Sequence, residues 1–338
     1  MSNFTNEKDP LLPTRWTAQQ IKQAIKPELF HRSTTVALSY LVRDIFMACI
    51  MAYGVYTLDG LVLMHFEADP STRILGQVIR TLIWATYSWF QGLNVTGIWL
   101  LGHECVHGAF SSSRWICDVV GFTIHTSLGT PYFSWKHAHT MHHQLHADNI
   151  HSSEHGDAQA RTEELWEAIE HSPISLLPSF AIQQIRELGT LFLSCFSSKV
   201  ESQLVLFDYK HRLMTLLTDI GFAGLAYLLV LAVARFGALT VAGIYGVPWL
   251  IVSGWIGVAT LIGHRAPGAG VLSTIDHDLL GWQGKFFLHN MAQCHLVHHL
   301  FPNMPFYNAP EATEQVRQLL GSDYPTSDAP IIELLWKI

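Results

Sequence analysis

Apolar residues along this chain fall into long runs with few polar interruptions, the pattern of helices wrapped in an apolar medium. Four runs are long enough to cross a hydrocarbon core of about 30 Å, which takes about 20 helical residues. They lie near 34–57, 76–101, 214–235 and 240–262. The first carries Arg43 and Asp44 and the second Arg80. Charge facing lipid at mid-membrane is costly, so these side chains are expected at the interface or against protein. The stretch 116–134 (ICDVVGFTIHTSLGTPYFS) is apolar but short and broken by Gly and Pro, which predicts a re-entrant or interfacial segment. Beyond about residue 311, EATEQVRQLLGSDY predicts a short amphipathic helix and then a polar end.

The expected fold class is therefore an all-α membrane protein with four transmembrane helices. The expected division is an N-terminal cytosolic segment over 1–33, one membrane domain over 34–320 and a tail over 321–338. Composition agrees: 14% of residues are charged and 49% hydrophobic, where a soluble domain averages roughly 25% charged. The net charge of -7 comes without a basic block, which excludes a nucleic-acid partner. Five cysteines without a CxxC pair suit a reducing compartment. Residues 1–30 carry no apolar signal-peptide core, and Ser2 stands where myristoylation needs Gly.

Lys and Arg set the orientation. Residues 1–33 hold five, 102–213 hold seven and 263–338 hold four, while the remaining connections hold only Arg73 and Arg235. Four spans place the three basic segments on one side, the cytosol, with both termini.

Histidine changes the picture. There are 20, as many as Lys and Arg together. His103 and His107, in HECVHGAF, stand one helical turn apart at the end of the second run. His139, His142 and His143 form one HxxHH group, and His295, His298 and His299 form another. Positions i, i+3 and i+4 share a helix face, so each group offers three imidazoles to one point. Chance supplies about 0.07 such groups in a chain of this composition, and this one has two on the same expected side. Eight imidazoles exceed the four ligands of a tetrahedral zinc and suit two ions of intermediate character, such as iron. His264, at the end of the fourth run, is a ninth candidate.

His31, His65, His171 and His211 stand alone and are read as solvated, as are the three histidines of HADNIHSSEH. His277 and His289 lie beside Asp276, Asp278 and Asn290 and fit equally a polar surface or a set that orients imidazoles. A non-catalytic metal-binding membrane protein or zinc transporter would carry its ligands within the spans. Here they crowd at one cytosolic edge.

These motifs resemble the three histidine boxes of the membrane fatty-acid desaturases, specifically the oleoyl Δ12 and ω-3 acyl-lipid branch. IKPELFHRS, TGIWLLGHECVHGAF, PYFSWKHAHTMHH, YGVPWLIV, LSTIDHD and HHLFPNMPFYNAPEAT match that family in order, over about 20–320. The resemblance implies a cytosolic helical cap carrying the boxes on the four-span scaffold. It also implies a non-haem di-iron centre held by His103, His107, His139, His142, His143, His264, His295, His298 and His299, with no catalytic residue beyond these ligands.

The implied reaction uses O2 to place a double bond in a lipid-linked or CoA-linked C18 acyl chain. Electrons would come from a separate cytochrome b5 and its reductase, since no HPGG haem core occurs in the sequence. The ending LLWKI weakly resembles an endoplasmic-reticulum retention signal. Val106 stands where the family's first box has Gly, and Gly108 where the Δ12 type often has a further His. The same centre in diverged relatives makes a triple bond, a hydroxyl or a conjugated bond, so acetylenase and hydroxylase outcomes stand as alternatives.

Overall fold

The computed structural model describes residues 16–66, 69–133, 135–136, 139–140, 209–263 and 274–327. After α1 (Ala18–Ala24), capped reciprocally by Thr17 and Gln20, two long helices dominate: α2 (Thr34–Phe66) and α3 (Arg73–His107). They pack against each other as an antiparallel pair. At 1.5 Å per residue, the 35 residues of α3 reach about 50 Å from the connection at 66–73 to the histidines at its far end. A shorter helix, α4 (Arg114–Ser127), turns back against α3 and stops at Gly129, where φ is +72°. Its 14 residues are too few to span, in keeping with the interfacial expectation.

Then come α5 (Tyr209–Phe236), α6 (Ala238–Val241), a π-turn (Ala242–Gly246) and α7 (Val247–Gly263). The last part of the described chain holds a two-residue strand β1 (Asp276–His277), α8 (Trp282–Phe287), α9 (His295–Leu300), α10 (Ala309–Leu320) and β2 (Thr326–Ser327). β1 and β2 pair in parallel, Asp276 opposite Thr326, a small departure from an all-helical expectation.

Three helices are long and apolar enough to cross a membrane: Thr34–Phe66, Leu216–Phe236 and Ala238–Val258. These match three of the four expected runs. The fourth expected run, 76–101, does form a helix within α3 but is not among the three. The physical reason is its inner face. Gln91, Asn94 and Thr96 are buried there and donate to the Ala48, Asp44 and Gly92 carbonyls.

The outward sides of α2 and α5 are apolar. Val42, Phe46, Ile50 and Tyr53 of α2 and Leu228 and Val230 of α5 are exposed, more than a water-facing surface tolerates in one patch. The charges within the first two runs are paired inside the protein. Asp44 is buried and paired with Arg43 at 2.7 Å. Arg43 is flanked by the Tyr40 and Phe286 rings at 4.9 and 4.7 Å. Arg80 makes a two-pronged contact with Asp59, at 2.6 and 3.1 Å.

Three apolar cores hold these elements. One packs Ile21, Ile25 and Leu29 against Leu296, Val297, Phe301, Ala312 and Val316, tying the N-terminal segment to α9 and α10. A second joins α2, α3 and α4 through Ala37, Leu41, Leu101, Val106, Phe110 and Ile124. The third sets α3 against α7 and α8 through Leu93, Trp99, Val252 and Phe287. Val106, the departure in the first motif, fills a buried position in the second core.

Candidate metal centre

α3 ends at Gly108, which has φ +69° and bonds back to the Cys105 and Glu104 carbonyls. Glycine takes this left-handed cap without the steric penalty a histidine would meet, which accounts for the second departure in the motif. Arg32 Nη1 donates to the Gly108 carbonyl at 3.1 Å and holds the turn. His103 and His107 on that last turn therefore face one way. α9 has only six residues and would not form alone. Leu296 and Val297, fully buried, anchor it with about 1.5–3 kcal/mol each.

The two helix ends converge. His103 Nε2 lies 2.9 Å from His298 Nε2 and 3.1 Å from His107 Nε2. His107 Nε2 lies 3.1 Å from His139 Nε2. The four donor nitrogens are all within 4.8 Å of one another. A neutral imidazole nitrogen offers one N–H or one lone pair, so His103 and His107, each with two such neighbours, cannot serve both well. A shared cation removes the conflict, since every lone pair then points inward. Nitrogens about 2.1 Å from one ion stand about 3.0–3.4 Å apart, close to the spacings here. An all-imidazole set suits zinc, copper, iron or nickel.

Of the nine expected ligands, the structure brings together His103, His107, His139 and His298. His295 and His299 lie beside them on α9, with ring centroids 4.5 Å apart. His142, His143 and His264 lie outside the described residues.

Residues the motifs did not reveal build the walls. Trp135 stacks on His139 at 4.4 Å and 13°. Trp99 meets Trp135 edge-on at 5.0 Å and stacks on His125 at 4.9 Å. His125 is wholly buried and its Nε2 donates to the Trp99 carbonyl at 3.2 Å. Burial holds its pKa down to about 3, against that hydrogen bond. One signal was present: Trp135 precedes His139 by four residues, one helical turn.

Two buried carboxylates brace the third box. Asp276 Oδ1 accepts from Leu296 N at 2.8 Å at the start of α9, and Oδ2 accepts from the Tyr324 hydroxyl. Burial pushes the Asp276 carboxyl up to about 6 despite those donors and Arg317. Glu104 Oε2 accepts from Phe306 N at 3.1 Å. Burial pushes Glu104 up to about 8, against the Phe306 N–H, and a cation in the cluster would draw it down. Of the two histidines left open, His289 takes a left-handed φ of +53° and puts Nε2 3.0 Å from Asp44 Oδ2. It braces α2 rather than an imidazole of the cluster. His277 is buried in β1, its N–H on the Ala292 carbonyl.

The fatty acid desaturase family profile matches residues 79–330. A Delta(12) acyl-lipid conjugase (11E,13E-forming) of Impatiens balsamina is 32% identical, over 97% of this chain and 87% of its own length. A Delta(12)-oleate desaturase of Trichosanthes kirilowii is 30% identical over 100% of this chain and 93% of its own. An omega-6 fatty acid desaturase, endoplasmic reticulum isozyme 1, of Glycine max is 29% identical over 100% and 87%. With the imidazole cluster at the end of an apolar helical bundle, these matches make the chain a member of the fatty acid desaturase family, in the Δ12 desaturase and conjugase branch, and an oxidoreductase of fatty acyl chains.

Proposed function

We propose that this enzyme uses two iron ions and O2 to place a cis double bond in a lipid-linked C18 acyl chain, on the methyl side of a bond already at C9. The convergence of four imidazole nitrogens within 4.8 Å carries the metal part of this reading. The name of the 30% identical oleate desaturase supports the position. A full set of nine imidazoles, with His142, His143, His264, His295 and His299 added to the four, would complete two sites.

The overall change balances as one CH2–CH2, O2, two electrons and two protons giving CH=CH and two waters. Bound iron supplies the oxidising power to take hydrogen from a carbon that no general base can deprotonate. The chain's own residues do the rest. His103, His107, His139 and His298 hold the metal. Trp99 and Trp135 wall the cluster with apolar surface and exclude water. The exposed apolar faces of α2 and α5 keep the enzyme where its substrate lies. Electrons would come from a separate cytochrome b5 and its reductase. The Glycine max relative's name supports the endoplasmic reticulum.

The 32% identical conjugase supports a second reading, in which the same hydrogen abstraction ends in a conjugated bond, a triple bond or a hydroxyl. Expression in yeast fed oleate or linoleate, with acyl products read by mass spectrometry, separates the two. New linoleate from oleate is the expected result. A conjugated, acetylenic or hydroxylated product alone would replace it with the second reading. In the same cells, His298→Ala and His142→Ala are expected to abolish the product while the protein stays in the membrane. Full activity in both would end the di-iron assignment.

A further inference from the structure

Glu104 sits inside HECVHGAF, yet a carboxylate is foreign to an all-imidazole cluster. It is 1% exposed. Oε2 accepts from Phe306 N at 3.1 Å, which ties the turn after the third box to the end of α3. That tie does not explain the charge. A neutral Gln would accept the same N–H without the penalty of burying a carboxylate.

The other oxygen points to the explanation. Oε1 is buried without a hydrogen-bond partner and lies 3.8 Å from His298 Nδ1. His298 turns its opposite nitrogen, Nε2, to His103 at 2.9 Å. Glu104 thus stands behind His298, on the side away from the cluster. The separation exceeds a hydrogen bond and lies within ion-pair range. A cavity of about 10 Å³, enough for one water, is lined by Glu104, His289 and His298.

We propose that Glu104 is a positioning residue for the metal centre, whose carboxylate engages the Nδ1–H of His298 and so aims the Nε2 lone pair at the metal. An imidazole carries one proton when neutral, and a partner on Nδ1 decides that Nε2 is left bare. A carboxylate partner also raises the basicity of the ligand, where an amide would not. Through Phe306, the same side chain sets the distance between the first and third boxes.

This inference rests on the metal reading above, and the test keeps the two apart. Full-length protein is purified from membranes, and iron(II) affinity is measured by competition with a chelator, alongside the Mössbauer spectrum. The parent is expected to bind iron. Glu104→Gln is expected to bind it about 10–100-fold more weakly with an altered spectrum. In a His298→Ala background, Glu104→Gln is expected to change affinity by less than about twofold, since the ligand it aims is gone.

Equal loss in both backgrounds would assign Glu104 to holding Phe306 alone and overturn the proposal. So would parent-like affinity and spectrum in the single variant. A parent that binds no iron would overturn the metal reading and this inference together. Should Glu104→Gln not accumulate, Glu104→Asp, which draws the charge back by one methylene, runs through the same cycle. It is expected to show a smaller loss that likewise vanishes without His298.

Discussion

At the scale of single residues, four members of the imidazole cluster were legible because donor type and helix face are written in spacing. HxxxH and HxxHH state a helix face and a donor type at once, and the fold brings both histidines of the first motif together with one from each HxxHH group, His139 and His298. The supporting residues were not legible, because burial and stacking leave no periodic mark. His125 is the clearest case. It stands outside every motif, yet it is wholly buried beneath Trp99. Because the Trp99 carbonyl only accepts, His125 carries its proton on Nε2, and Nδ1 is buried without a hydrogen-bond partner. Its folded pKa of about 3 lies below the ordinary 6.5. The unfolded chain therefore takes up a proton as pH falls through 6.5 while the folded chain does not. Stability from this group is complete above 6.5 and is lost toward 3, by about 1.4 kcal/mol per pH unit. His125→Gln keeps a donor for the Trp99 carbonyl and removes the titration. Thermal or denaturant stability of parent and variant, compared from pH 8 to 5, is expected to diverge only below 6.5. Parallel curves throughout would refute this account.

At the scale of elements, hydropathy read length well and function poorly. It located α2, α5 and α7 because their lipid-facing sides are apolar throughout. It treated 76–101 as one more such run, although α3 turns Gln91, Asn94 and Thr96 inward. α3 is better described as the spine of the molecule. Gly97 allows the close approach of the end of α8: a Cβ there would meet the Phe287 carbonyl oxygen at 2.0 Å. The strand pair was invisible because two residues carry no alternation, yet it places Asp276 where it caps α9. Removing that carboxylate leaves the Leu296 N–H and the Tyr324 hydroxyl buried without their acceptor. Each such loss costs about 1–3 kcal/mol. Because α9 carries His295, His298 and His299, Asp276→Ala is expected to lower iron content and stability together. Asp276→Asn, which retains an acceptor for Leu296, is expected to recover most of the iron. Iron analysis of the two purified variants checks this, and equal iron in Asp276→Ala and parent would show that the cap does not hold the third box.

At the scale of the whole molecule, the imidazole cluster lies at one end of the long α3 axis. α3 carries the histidines at one end, and the connection at 66–73 lies about 50 Å away at the other. That exceeds the roughly 30 Å hydrocarbon core, so both ends of α3 reach beyond it if the helix crosses. Lys and Arg then choose the side. Segments 1–33, 102–213 and 263–338 hold 16 of the 20, counting five, seven and four, which on the positive-inside rule would place the histidines and both termini in the cytosol. That placement also suits a reducing environment for the four free cysteines among the described residues and access for a soluble-faced electron donor. The arrangement is tested by inserting a glycosylation acceptor near residue 68 or near residue 150 and expressing each in the endoplasmic reticulum. The first site is expected to be modified, because it would stand in the lumen. The second is expected to remain bare. Modification at 150 with none at 68 would invert the molecule, put the metal centre in the lumen and remove the cytosolic route for electrons.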